Sequence, residues 1–264
     1  MSVLLKLFYF ILLCLLVSSC HDATNNHDKN INLDTFSDLR DEKYSLDIVD
    51  IREHISKIAS EDGVALPMDG FVNKYYKEQQ PFLWINRYGI YDRADTLLSL
   101  LKGIDYYGLS KDAFRVSKIE KDLYLARSLD IESSNDNLNR ILARLEYNLT
   151  KAFLRYSAGQ YFGFVNPDYL YNSLEEYQVD SLTTRFRQLC DLKVLRPDKK
   201  FYFKAISHIL NDSVAEFWHT TIPKGRLVGK LLKELDNPNL TKSERLRILC
   251  NIERCRWRLR GMPN

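Results

Sequence analysis

Cysteine is the residue type most able to do chemistry in this sequence, and one of its five copies stands apart from the rest. Cys20 follows Val17, Ser18 and Ser19, which close an unbroken apolar run over 7–17 that itself follows Lys6. A charged start, an apolar stretch and small residues before a cleavage point make up a secretory signal, and about 11 apolar residues are too few for a bilayer that needs roughly 20. A cysteine at the cleavage point marks the bacterial lipoprotein variety, whose thiol is acylated. Cys20 is therefore the expected lipid attachment site, and a chain so anchored is expected in the cell envelope, held to a membrane and facing the periplasm. An ordinary secretory signal with a chance cysteine is the plain alternative. Acyl chains anchor by burying methylenes at roughly 0.8 kcal/mol each, so several hold firmly where one does not.

Cys14 leaves with the signal, and Cys190, Cys250 and Cys255 remain, an odd number that makes no complete disulfide framework. On a helix, positions 250 and 255 lie about 140° apart around the axis and roughly 7.5 Å apart along it. That is too far for a disulfide, and the spacing does not suit zinc. Each of the three is expected to be a buried structural thiol. The histidines of the folded part, His54, His208 and His219, are far apart and show no carboxylate or cysteine at ligand spacing. There is no nucleophile elbow, phosphate-binding glycine loop or HExxH, and Gly225 to Gly229 lacks the strand that a nucleotide loop follows. Catalytic residues, metal ligands and cofactors are accordingly expected to be none. Basic residues around Trp257 could suggest nucleic acid, which an exported lipoprotein would rarely meet, so none is expected.

The elements that must position these residues are helical. Glycine and proline are scarce, and apolar residues recur at helical spacing. Leu138, Ile141, Leu142, Leu145, Leu149, Ala152, Phe153 and Tyr156 form one stripe, with Arg140, Arg144, Asn148, Lys151 and Arg155 elsewhere, which predicts a helix with one buried face that Gly159 stops. Further helices are predicted over 44–59, 67–79, from Asp92 or Asp95 to Gly103, and over 118–129, 182–192, 201–219, 227–235 and 241–259. The last carries a capping box of Thr241 and Glu244. Extended pieces are expected near 81–86 and 161–165. The fold class is mostly α, behind a signal at 1–19 and a tether over 20–40, whose Asn, Asp and His content from 21 to 34 reads as flexible.

Composition agrees with a folded body. Hydrophobic residues make up 45% and aromatics 12%, which excludes disorder for the bulk, and the net charge of +3 implies no acidic partner globally. Locally, 242–260 carries seven basic residues against Glu244 and Glu253. That bias suits anionic cell-wall polymer or lipid headgroups, or a solvated helix surface.

Three short motifs in order are similar to one known family. Pro81-Phe82-Leu83-Trp84 with Asn86 and Tyr91, then 97–107 leading into Gly108-Leu109, resemble the entry of the large, scaffold-bearing L,D-transpeptidases of bacterial cell walls. The stretch LEYNLTKAFLRYSAGQYFGFVNP over 145–167 is similar to that family's E-x-x-L-T-x-A-F-L-R-Y and G-x-V-x-P core, and RLRILCNIERCRWR over 245–258 resembles its R-x-x-x-I-x-x-N-x-E-R-x-R-W segment. The resemblance implies a helical scaffold domain over 41–264, with Trp84, Arg155, Asn251, Glu253, Arg254, Arg256 and Trp257 as its motif residues. The last helix is expected either to pack back on the helix over 138–156 and join the scaffold to a catalytic module, or simply to close the bundle. Asn251 and Arg254 share one helix face, and Glu253 and Trp257 another.

The departures carry equal weight. The family continues into a β-rich domain with a nucleophilic cysteine after glycine, whereas this sequence ends seven residues after Trp257 and contains no Gly-Cys pair. An intact relative would exchange a peptide bond through a cysteine thioester; this chain alone is expected to be inactive. Three readings follow: a transpeptidase scaffold working in peptidoglycan cross-linking but catalytically empty, either truncated or one half of a split system with a separately encoded catalytic domain; a non-enzymatic envelope lipoprotein that binds peptidoglycan or a partner protein; and an unrelated helical lipoprotein.

Overall fold

The computed structural model describes residues 45–131, 136–167, 174–188 and 194–260. The signal, Cys20, the 20–40 tether and Cys190 lie outside them. Among the described residues the chain forms nine α-helices and two small antiparallel hairpins, a mostly α multi-helix body.

Local sequence explains several of the starts and stops. Helix α1, Ile48–Asp62, begins at Asp47, whose carboxylate accepts the Val49 amide at 2.7 Å, a side-chain cap for an otherwise orphan donor. Helix α2, Pro67–Lys77, starts on proline and places Asp69 in its first turn, where it accepts the Leu66 amide at 3.0 Å. The strands Ile85–Asn86 (β1) and Gly89–Ile90 (β2) form the first hairpin, and α3 (Arg93–Lys102), a short 3-10 turn and α4 (Val116–Ser128) follow. Of the expected extended pieces, 81–86 is a strand only at its last two residues.

The long helix α5, Leu138–Phe162, opens on Asn137, which accepts the Arg140 amide at 2.9 Å. It corrects two expectations. Its burial is not confined to one face: Asn148, Lys151, Ser157 and Gln160 are buried as well as the apolar stripe. The reason is position, since α1, α2, α3, α4, α6, α7 and α9 all pack on it and leave only Arg140, in its first turn, exposed. Nor does Gly159 end it. The Phe164 ring lies flat over Gly159, where any Cβ would collide with it, so this glycine serves close approach. The helix ends at Gly163, whose φ of 96° suits glycine. The extended piece expected at 161–165 is in part the last turn of α5.

The second hairpin, β3 (Leu174–Gln178) with β4 (Thr184–Gln188), overturns the helix expected over 182–192. Asp180 accepts the amides of Leu182 and Thr183 at 2.9 and 2.7 Å, a side-chain-closed turn that reverses the chain. The single helix expected over 201–219 is two, α6 (Lys199–Leu210) and α7 (Val214–Thr221), broken where Asp212 adopts a φ of 59°. The pair α8 (Arg226–Leu235) and α9 (Lys242–Arg256) closes the described chain. Around the Thr241 and Glu244 capping box, the Thr241 amide donates to Glu244 at 2.9 Å and the Glu244 amide to Thr241 at 3.2 Å.

The main core is one continuous cluster around α5, with an aromatic layer in which Tyr156 stacks on Trp218 at a ring separation of 3.3 Å. A separate small core of Leu235, Ile248 and Ile252 sits between α8 and α9. No described helix is long and apolar enough to cross a membrane.

Candidate functional site

Three polar groupings tie the elements to α5, and the motif residues are distributed among them. The first is wholly buried. Glu146 accepts the Leu83 amide at 2.5 Å, the Trp84 amide at 2.9 Å and the Tyr76 hydroxyl at 2.9 Å. One turn along, Thr150 accepts the Trp84 indole N–H at 2.8 Å and meets the Tyr76 hydroxyl at 2.6 Å. Burial pushes the Glu146 carboxyl up, against the amide hydrogen bonds of Leu83 and Trp84 that favour its ionised form, and the balance is about 7. Arg93 closes this grouping from outside, donating from Nε to the Leu83 carbonyl at 2.8 Å. Every polar atom here serves to fix the Pro81 to Trp84 turn on α5.

The second grouping joins α1 and α2 to α5. Arg155 donates to both oxygens of fully buried Asp69, at 2.8 and 2.7 Å, the two-pronged geometry that makes guanidinium pairs strong. Lys151 bonds Asp62 and lies 3.5 Å from Asp69, and Arg115 also bonds Asp62. Burial alone would raise the Asp62 carboxyl, but the hydrogen bonds from Lys151 and Arg115 outweigh it and hold it at about 2. Asp69 is lowered in the same way by Arg155.

The third grouping is where α9 meets the end of α5. Glu253 accepts the Val165 amide at 2.7 Å, the Trp257 indole N–H at 3.3 Å and Arg256 Nη1 at 2.9 Å. Arg256 donates from Nε to Gln160 at 2.9 Å and lies over the Phe164 ring. Gly163 faces Trp257, and a Cβ there would fall 2.5 Å from the indole. A cleft of about 540 Å³ opens beside this junction, between the ends of α5, α7 and α9. The helix-face pairings expected from spacing are both present: Arg254 donates to Asn251 at 2.9 Å, and Trp257 reaches Glu253.

The structure thus gathers Glu253, Arg256 and Trp257, with Asn251 and Arg254 beside them, and sets Trp84 and Arg155 at other places along α5. The last helix does pack on α5, although on its C-terminal end rather than over 138–156. Glu146, Asp62, Asp69 and Lys151 were not singled out from sequence, even though Glu146 and Thr150 stand inside the motif over 145–167. Cysteine needs correction: Cys250 is exposed and only Cys255 is partly buried. Burial raises the Cys255 thiol, with Arg256 opposing, which makes it a poor nucleophile near neutral pH. His54 does have a companion carboxylate, Asp50 at 3.1 Å one turn away. Among the described residues no group of three or more His, Cys, Asp or Glu could hold a metal ion.

The profile of the scaffold domain matches residues 70–207, just over half of the chain. The chain belongs to the scaffold-domain family. Within the matched span fall the Glu146 grouping, Arg155 and nearly the whole of α6, whereas α7, α8 and α9 of this scaffold-domain chain lie beyond it. No curated protein and no solved structure matches the chain.

Proposed function

We propose that the chain is a scaffold of L,D-transpeptidase type, lipid-anchored through Cys20 in the cell envelope, and that it serves peptidoglycan cross-linking by holding a catalytic module rather than by forming a thioester itself. The observation that carries this reading is the convergence of three motif segments on one helix. Trp84 of the first segment bonds Thr150 of the second, and Arg256 of the third bonds Gln160 of the second. A motif whose distant parts meet this way is organised as a unit, and its last part ends at an open cleft where another body can dock.

No Gly-Cys pair occurs in the sequence, so the nucleophile would have to come from a segment outside these 264 residues, continuous with them or separately encoded. The test is co-sedimentation of the purified full chain with peptidoglycan sacculi, alongside a transpeptidase assay. Retention above a control lipoprotein, with no turnover, is the expected result. Loss in the supernatant would remove the cell-wall role, and real turnover would overturn the non-catalytic assignment.

A further inference from the structure

The cleft at the α5, α7 and α9 ends has a chemistry of its own. We propose that it is a binding site for the terminal carboxylate of a peptide. Its volume, about 540 Å³, lies in the range of small-ligand sites. Among the described residues, three cationic side chains line it, Lys224, Arg256 and Arg258, and no Asp or Glu does, the nearby Glu253 carboxylate being bonded to Arg256 and Trp257. The rest of the wall offers apolar surface from Ile222, Pro223 and Trp257. A pocket lined by both cationic and apolar side chains suits a carboxylate attached to a short side-chain-bearing backbone better than a bare inorganic anion.

Arg256 gives the strongest indication. It is 4% exposed, and its Nε and Nη1 are committed to Gln160 and Glu253, yet among the described residues Nη2 has no hydrogen-bond partner. A guanidinium N–H left unsatisfied away from solvent is costly, and buried groups of that kind are rare enough to require a cause. Arg258 is fixed on the same wall, with its Nε donating to the Tyr161 carbonyl at 2.9 Å and its guanidinium 3.5 Å above the Tyr161 ring. A charge held in place loses little freedom when an anion arrives. Lys224, on the segment between α7 and α8, is exposed and supplies the third cation.

Trp257 provides the readout, because Trp84 and Trp218 are buried in the main core while Trp257 lines the cleft. The experiment is a fluorescence and calorimetric titration of the full chain in detergent with four probes: a stem muropeptide with a free terminal carboxylate, its C-terminal amide, an unrelated peptide acid of equal length, and inorganic phosphate. Both peptide acids should bind saturably, the amide at least 10-fold more weakly, and phosphate more weakly still. Lys224→Gln and Arg258→Gln should each weaken the acids by roughly 3- to 10-fold, and Trp257→Phe should abolish the emission change while the heat remains. Tighter binding of the muropeptide than of the unrelated acid identifies cell-wall peptide as the source of the carboxylate, and equal binding identifies protein C-termini. An unrelated acid that binds when the muropeptide does not would count against the cell-wall reading and leave the carboxylate site standing. Equal binding of acid and amide, phosphate binding as tightly as the acids, or neither heat nor emission change at millimolar probe would overturn the site.

Discussion

The middle of α5 and the α8–α9 pair solve the same problem, attaching a helix to its neighbours, in opposite ways. Around the middle of α5, carboxylates and cations are buried and almost fully satisfied: Glu146 takes three donors, and Lys151, 3% exposed, sits against two aspartates. The α8–α9 pair has a core of only three buried residues, and α9 buries just Ile248, Ile252 and Arg256. It is held to the rest by a few directed contacts: Glu253 with Val165, Arg256 with Gln160, and the Tyr106 hydroxyl donating to the Leu232 carbonyl at 2.9 Å. A polar group in a core specifies one arrangement because any other leaves it unpaired. A small satellite core with a handful of hydrogen bonds behaves as a docked part, with an opening free energy below that of the whole.

That contrast can be broken from the α5 side first. Asp69→Ala strips buried Lys151 and Arg155 of their shared partner and should cost about 3–5 kcal/mol in urea unfolding, with α8 and α9 lost in the same transition as everything else. Glu146→Gln turns an acceptor toward amide donors as a donor itself, and should cost about 2–4 kcal/mol by the same measurement. The same substitution reads the charge. A carboxyl whose folded value is raised from 4.5 to about 7 binds its proton more tightly in the folded state, so its contribution falls as pH rises from about 4.5 to 7 and is flat above. The unfolding free energy of the parent minus that of Glu146→Gln should therefore decline across that window, by on the order of 3 kcal/mol at most; a difference independent of pH would show that the three donors hold the carboxylate ionised.

From the other side, Gly163→Ala sets a methyl against the Trp257 indole at a φ of 96° and should cost about 1–3 kcal/mol. Hydrogen exchange should show that loss in α8 and α9, with amides of α5 near Glu146 unchanged. Glu253→Gln keeps the shape and removes the charge facing Arg256, and should cost about 1 kcal/mol, seen as faster exchange at the Val165 amide alone. If either variant lowered protection throughout α5, the pair would be an integral part of the main core and not a docked one.

Much of the helical frame was legible because apolar spacing and end signals are local. The stripe from Leu138 to Tyr156 and the Thr241 box needed only neighbours within a few turns. The β3–β4 hairpin was missed because Leu182 and Leu192 mimic a helical ladder, whereas Asp180 supplies the turn and Leu182 is 95% exposed at its tip. The break between α6 and α7 had its signal in Asn211-Asp212-Ser213, residues that prefer turns. Glu146 was not legible at all as a core residue. Flanked by Leu145 and Tyr147 it reads as an ordinary surface glutamate, and only the arrival of amides 62 and 63 positions away makes it a keystone. Arg256 was chosen from the motif, but its unpartnered Nη2 depends on how three helix ends meet, which spacing does not encode.

One small feature has a mechanical side. Val194 pairs with Leu259, and the Leu195 amide donates to the Arg258 carbonyl at 2.8 Å, so the strand-like exit of α9 is stitched to the segment before α6. Tension applied along the backbone beyond Leu259 would load those links before it reached the side chains of α9, and they would pass it to α6 and from there to α5. Because Arg258 and Leu259 also line the cleft, a pull at this end would be felt at the wall of the cleft before it was felt along α9.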